Sequence, residues 1–341
     1  MTLEIIGISV LWLFLFGYVI VASIDFGAGF FNAYSTLRGK QHILTKVIQR
    51  YLSPVWEVTN VFLVFFFVGI VGFFPKTAYY YGTTLLVPIS LGIILLAIRG
   101  AYYAFTTYGG LKSKKYIYLY GLTGLIIPAS LSVVLTISEG GFVTMEEYGP
   151  NLHYWTLFTS PLTWSIVFLS LTAVLYISSV FLTWYANQAK DETATNLMRI
   201  YALCWATPLI LTAVGIIVEL RSHNPEHYRQ LMDLWWLFGL SFVLFAGTVY
   251  FIWKRKSYGI AVGLLISQFL LAFFAYGISH FPYLLYPFLT IYDGFTNKAM
   301  AISLIIAFIA GLLLLIPSLI LLLRLFLFNK NYVEGKKVDN A

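Results

Sequence analysis

Apolar runs recur along the whole of this chain, each long enough to cross a hydrocarbon layer of about 30 Å as a helix of roughly 20 residues. With the turn and charge signals between them, they predict nine spans, at about 4–34, 53–75, 78–106, 116–137, 162–187, 197–220, 232–252, 258–280 and 299–326. The expected fold class is an all-α integral membrane protein, with residues 1–341 as a single membrane domain. The longest polar interruption, "SEGGFVTMEEYGPNLHYWT", separates the first four spans from the next four. It suggests two four-helix bundles, within 1–137 and 162–280, and a peripheral ninth helix at 299–326. The first run extends to about Tyr34 with no basic residues ahead of it, which predicts a retained helix and not a cleaved signal. Between the first two spans, "GKQHILTKVIQRYL" sets Ile43, Leu44, Val47, Ile48, Tyr51 and Leu52 at helical spacing around Lys40, Lys46 and Arg50. That is the pattern of an interfacial helix.

Composition agrees: 60% of the 341 residues are hydrophobic, mean hydropathy is +0.83 and only 10% are charged, against about a quarter in soluble domains. A net charge of +7 would suggest nucleic acid in a soluble protein. Here the charges sit between spans, and no nucleic-acid partner is expected. Sixteen Lys and Arg fall in alternate connections and the C-terminal segment, four in the opposite set, and Arg99 lies inside a span. Because basic residues accumulate on the cytoplasmic side, this asymmetry predicts an outer N-terminus and a cytoplasmic C-terminus. The single cysteine, Cys204, lies in an apolar run and excludes an internal disulfide or a C-x-x-C site.

Charges within hydrocarbon cost about 2.5–3.5 kcal/mol at a helix centre, so each is a functional hypothesis. Asp25, in "VASIDFGAGF", and Arg99, in "LAIRGAYYAF", lie at similar depth, on the order of 13 Å from the cytoplasmic ends of their spans at 1.5 Å per residue. Two readings stand open. They form a buried ion pair, or Asp25 passes protons inward from the cytoplasm, and a close Arg99 works against the second. Gly27 and Gly29 fit close helix packing.

Ser53 is a good N-cap and Pro54 a good first helical residue, so a helix is expected to start there. Glu57 then falls near its first turn, where the dipole stabilises an anion by about 0.3–1 kcal/mol. With Asp25 deeper on the same half, Glu57 also reads as a proton entrance. Glu219, beside Arg221 at a span end, fits an interfacial anchor. His223 and His227 have the spacing of a metal pair, but Pro225 between them breaks the helix they would share. His42, His153, His223, His227 and His280 all fall in loops or at span ends, and a haem between helices needs axial ligands deep in the bundle. No haem is expected in this chain.

"SIDFGAGF", "SPVWEVTNVFLV", "LAIRG" and "HFPYLLYPFLTIYDGFTNKAM" resemble subunit II of the cytochrome bd-type quinol oxidases, bacterial respiratory terminal oxidases. The likeness covers both ends of the chain; the middle matches by hydropathy only. It implies a pseudo-twofold pair with a related subunit I, which carries the b and d haems and the quinol. A small single-helix subunit also belongs to the partners it allows, beside membrane lipid. It further implies a supporting role here and a contribution to a proton path from the cytoplasm. Residue by residue, Asp25 matches the second acid of the D-G-F-D-x-G motif, Trp56 and Glu57 match the W-D pair, and Arg99 matches the R-G pair. The first acid of that motif is absent, and W-D-G-N reads Trp56, Glu57, Val58, Thr59. A path would thus use Asp25, Glu57, the hydroxyls of Ser23 and Thr59, and water. Two rival readings remain: a purely structural scaffold, and a secondary transporter with helices broken at "LVPISLG" and "GLIIPAS".

Overall fold

The computed structural model describes residues 2–107, 114–147 and 149–327, apart from the side chains of 41, 42, 46, 49–58, 106, 107, 323 and 327. Helices dominate: α1 (Leu3–Leu37), α2 (Gln41–Phe73), α3 (Pro75–Thr84), α4 (Leu86–Thr107) and α5 (Lys114–Ser138) come first. A connection with the hairpin β1 (Val143–Glu146) and β2 (Gly149–Leu152) and the short α6 (Tyr154–Thr159) follows. Next come α7 (Pro161–Gln188), α8 (Glu192–His223), α9 (Pro225–Asp233), α10 (Trp235–Lys254) and α11 (Tyr258–His280). A second antiparallel pair, β3 (Tyr283–Leu285) and β4 (Leu289–Thr290), leads to α12 (Lys298–Leu322). Both hairpins lie at one end of the helices, and the connections carrying Arg38, Lys190 and Arg255 lie at the other, the basic end.

Eight described helices are long and apolar enough to cross a membrane, and the bent pair Thr59–Phe73 and Pro75–Thr84 makes up to nine. The protein is a multi-pass membrane protein. Many boundaries agree with the apolar pattern, and α11 coincides with the expected 258–280. Two do not. The expected interfacial helix is the first part of α2, which runs on through Ser53 and Pro54, so no helix starts at Ser53 and Glu57 falls in the interior of α2. Leu44, Val47 and Ile48 explain why: they are buried in the core that joins α1, α7, α8 and α11, and this packing outweighs the local start signal. The expected span 78–106 begins later, because Pro75 starts a separate helix turned 118° from the one before it. Pro at the first position costs that helix no hydrogen bond.

α1 is the hub, with its most extensive packing against α2, α5 and α7, while α12 lies on α2. Small residues permit the approach. A Cβ on Gly27 would come within 2.3 Å of the Ser178 Cβ and 2.9 Å of the Val174 carbonyl oxygen on α7. Ser178 uses that proximity to donate its hydroxyl to the Ile24 carbonyl at 3.0 Å. At the other end of α1, Trp12 donates to the Phe273 carbonyl at 3.1 Å and stacks on its ring at 4.4 Å.

Candidate functional site

Among the described residues, two buried clusters built on charged side chains interrupt this apolar interior. The first gathers around α1. Arg99 on α4 donates from Nε to Asp25 Oδ2 at 3.0 Å and from Nη2 to the Asp25 carbonyl at 2.7 Å. Its Nη1 donates to the Tyr120 carbonyl on α5 at 2.6 Å. The Tyr120 hydroxyl donates to Asp25 Oδ1 at 2.9 Å, so both carboxylate oxygens accept. The guanidinium carbon lies 3.5 Å from the Tyr120 ring centroid and 5.2 Å from that of Phe26, adding cation–π attraction. Asp25 is 2% exposed and Arg99 1%; among buried charges, such full pairing is the condition for tolerance.

Glycines make the room. A Cβ on Gly29 would sit 2.7 Å from the Tyr120 ring and 3.0 Å from Arg99 Nη2, and one on Gly124 would meet the Phe26 carbonyl oxygen at 2.5 Å. Of the other expected path residues, Ser23 on α1 and Thr59 on α2 are buried. The side chains of Trp56 and Glu57 lie outside the described residues. Glu219 is half-buried in the last turn of α8.

The second cluster, at the hairpin end, was not expected. Glu139 follows α5, His227 sits on α9 and His280 ends α11. His227 Nδ1 lies 2.8 Å from Glu139 Oε2 and 3.0 Å from Oε1, and its Nε2 lies 2.8 Å from Ser279 Oγ. The Tyr276 hydroxyl donates to Glu139 Oε1, and Asn224 Nδ2 donates to Oε2 at 3.2 Å. His280 Nδ1 is 3.8 Å from Oε1, beyond hydrogen-bond reach. Burial pushes the Glu139 carboxyl up; the His227 hydrogen bond, the His280 and His227 charges and the Tyr276 hydroxyl outweigh it and hold it below the ordinary value. Asn224 also caps α9, accepting from the His227 backbone N–H at 3.1 Å.

Pro225 does break the helix between His223 and His227. His223 therefore turns away, approaching the Gly140 carbonyl at 3.0 Å and stacking on Phe142. Besides the spacing that picked out His227, the sequence signal for this cluster was an acid immediately after an apolar span, in "ISEGG". The cavity beside His227 and His280 has a volume of about 10 Å³, room for about one water. It does not fit a haem.

Comparison with known proteins assigns the chain. Residues 3–326 match the family model for cytochrome bd terminal oxidase subunit II. A putative cytochrome bd menaquinol oxidase subunit II from Bacillus subtilis (strain 168) is 35% identical over 348 residues, covering 98% of each chain. A chain in the structure of bd oxidase from Geobacillus thermodenitrificans is 66% identical, with a TM-score of 0.85, over 96% of this chain and 100% of that one. The eight to nine apolar helices among the described residues fit these matches, which show that the chain belongs to the cytochrome bd terminal oxidase subunit II family.

Proposed function

We propose that this chain is the haem-free subunit of a bacterial quinol:oxygen oxidoreductase, holding a haem-bearing subunit I in a pseudo-twofold pair. In this reading the helices form two four-helix bundles with α12 peripheral, and quinol and haems belong to the partner. The B. subtilis relative's name favours menaquinol as the electron donor. The basic end faces the cytoplasm, supported by the sixteen-to-four distribution of Lys and Arg. Quinol protons then leave on the outer side, while protons consumed in reducing oxygen enter from the cytoplasm.

The observation that carries the supporting role is the complete engagement of Asp25: Arg99 and Tyr120 occupy both carboxylate oxygens. An acid so held ties α1, α4 and α5 together without leaving net charge in the membrane. One further observation favours a proton path as a second role. A tyrosine hydroxyl both donates and accepts, so Asp25 can take a proton at Oδ1 if Tyr120 turns from donor to acceptor, leaving the Arg99 bond intact. Glu57 would be the entrance, with the buried hydroxyls of Ser23 and Thr59 as further stations.

Turnover separates the roles. In the purified complex, Glu57→Gln should slow oxygen reduction while the haem spectra stay unchanged, if protons enter there. Wild-type turnover in that variant removes the proton path and leaves the supporting role. Loss of haem with no change per remaining haem, in Asp25→Asn, supports support alone.

A further inference from the structure

The hydrogen-bond pattern around His227 leaves a question of what lies between two acceptors. The Ser279 hydroxyl gives its hydrogen to the Tyr276 carbonyl at 2.8 Å, so its oxygen accepts from His227 Nε2. In that arrangement the imidazole carries a hydrogen on Nε2, and its Nδ1 faces the Glu139 carboxylate 2.8 Å away. A nitrogen and a carboxylate oxygen at that distance hold either a proton or a cation between them. His280 stands on the same carboxylate and makes no hydrogen bond among the described residues. Its Nδ1 is 3.8 Å from Glu139 Oε1 and its Nε2 is buried without a partner.

We propose that Glu139, His227 and His280 form a site for a divalent transition cation of the Zn²⁺ class. Their ligand atoms all lie within 4.8 Å of one another. Ligands at about 2.0–2.1 Å in a tetrahedron are about 3.3 Å apart. The two carboxylate–imidazole distances, 2.8 and 3.8 Å, bracket that value. Two imidazoles and one carboxylate are a donor set suited to zinc, with the fourth position left for water. The adjoining cavity, of about 10 Å³ and lined by both imidazoles and Ser279, has room for that one water.

The outer contacts are those a metal site uses. Ser279 fixes the His227 tautomer, and Tyr276 and Asn224 orient the carboxylate. On binding, the cation takes the place of the proton between Nδ1 and the carboxylate, and that proton leaves to solvent. The cation joins the end of α5, α9 and the end of α11 at the hairpin end. It owes nothing to Asp25 or to any proton path.

Equilibrium dialysis of the whole complex, purified without a histidine tag and stripped with chelator, against micromolar ZnCl₂ tests this. Elemental mass spectrometry should find about one zinc more per complex in the wild type than in His280→Ala. His280 makes no hydrogen bond among the described residues but packs on the Tyr276 and His227 rings, so an unchanged haem content in His280→Ala checks that the complex stays folded. Ser279→Ala should keep the site but lower zinc affinity by about 10–100-fold. X-ray absorption at the zinc edge should show nitrogen and oxygen ligands with two imidazoles. Equal zinc in wild type and His280→Ala, or no zinc retained by the wild type, overturns the assignment.

Discussion

Arg99 Nε stands 3.0 Å from Asp25 Oδ2, joining α4 to α1 across 74 residues of sequence. Neither group reaches water, and each neutralises the other. Removing one partner of a buried pair costs about 3–5 kcal/mol, because the survivor stays buried and unpaired. Asp25→Asn should therefore lower the unfolding midpoint of the purified complex steeply and reduce the yield of haem-loaded material. Asp25→Asn combined with Arg99→Gln, which is neutral throughout, should recover most of the loss. A double variant as unstable as the single one would mean that the charge balance is not what matters here.

Tyr120 makes two separable contributions to the same cluster: a hydroxyl on Asp25 Oδ1 and a ring face under the guanidinium. Tyr120→Phe removes only the first, and a hydrogen bond to a charged group is worth about 1.5–3 kcal/mol. Tyr120→Leu removes both and should cost more, by about the 0.5–2 kcal/mol of a cation–π contact. Thermal unfolding of the two variants side by side measures the difference. Turnover adds a second readout, since a proton taken up at Oδ1 needs the hydroxyl and not the ring.

Depth counting along α1 and α4 was enough to suggest that Asp25 and Arg99 meet, because a helix rise converts sequence position into height. Tyr120 could not be found that way. It is one of 25 tyrosines, and nothing in "YIYLYGLTG" says which of them faces α1. Gly29 was legible as a small residue for packing, but the guanidinium it admits was not, and Gly124 carried no such signal. The Ser53–Pro54 start signal misled because local capping preferences are worth about 1 kcal/mol, less than burying the stripe of Leu44, Val47 and Ile48. The Glu139 cluster was hidden for a different reason. Its members lie 53 to 141 residues apart, and the i, i+4 spacing of His223 and His227 drew attention to a pair that Pro225 separates.

Gly27 and Gly29 of α1 should be sharply unequal to Gly82, which has open space around it. Gly27→Ala drives a methyl to 2.3 Å from the Ser178 Cβ and 2.9 Å from a backbone oxygen, neither of which can swing away. Gly29→Ala meets the Tyr120 ring at 2.7 Å and pushes on the Asp25 cluster. Overpacking of this kind costs about 1–3 kcal/mol or more. Gly82→Ala in α3 meets nothing within 4 Å and should be neutral or slightly stabilising, since alanine favours the helix by about 1 kcal/mol. Midpoints of thermal unfolding in otherwise wild-type complexes rank the three.

Asn224 offers a test in which a truncation and a nearly isosteric change should diverge. Its Oδ1 accepts from the His227 backbone N–H and caps α9, while its Nδ2 donates to Glu139. Asn224→Ala loses both roles; loss of the cap alone costs about 0.5–2 kcal/mol. Asn224→Asp keeps the cap, and the helix dipole would even favour the added charge. It also replaces a donor 3.2 Å from Glu139 Oε2 with an acceptor oxygen, placing two carboxylates in one buried site. Repulsion at that separation, with little water to screen it, exceeds what a cap supplies. In metal-free complex the aspartate variant should therefore unfold at a lower temperature than the alanine variant, the reverse of the order expected for a helix cap alone. An aspartate variant as stable as wild type would show that Asn224 serves α9 and does nothing for Glu139.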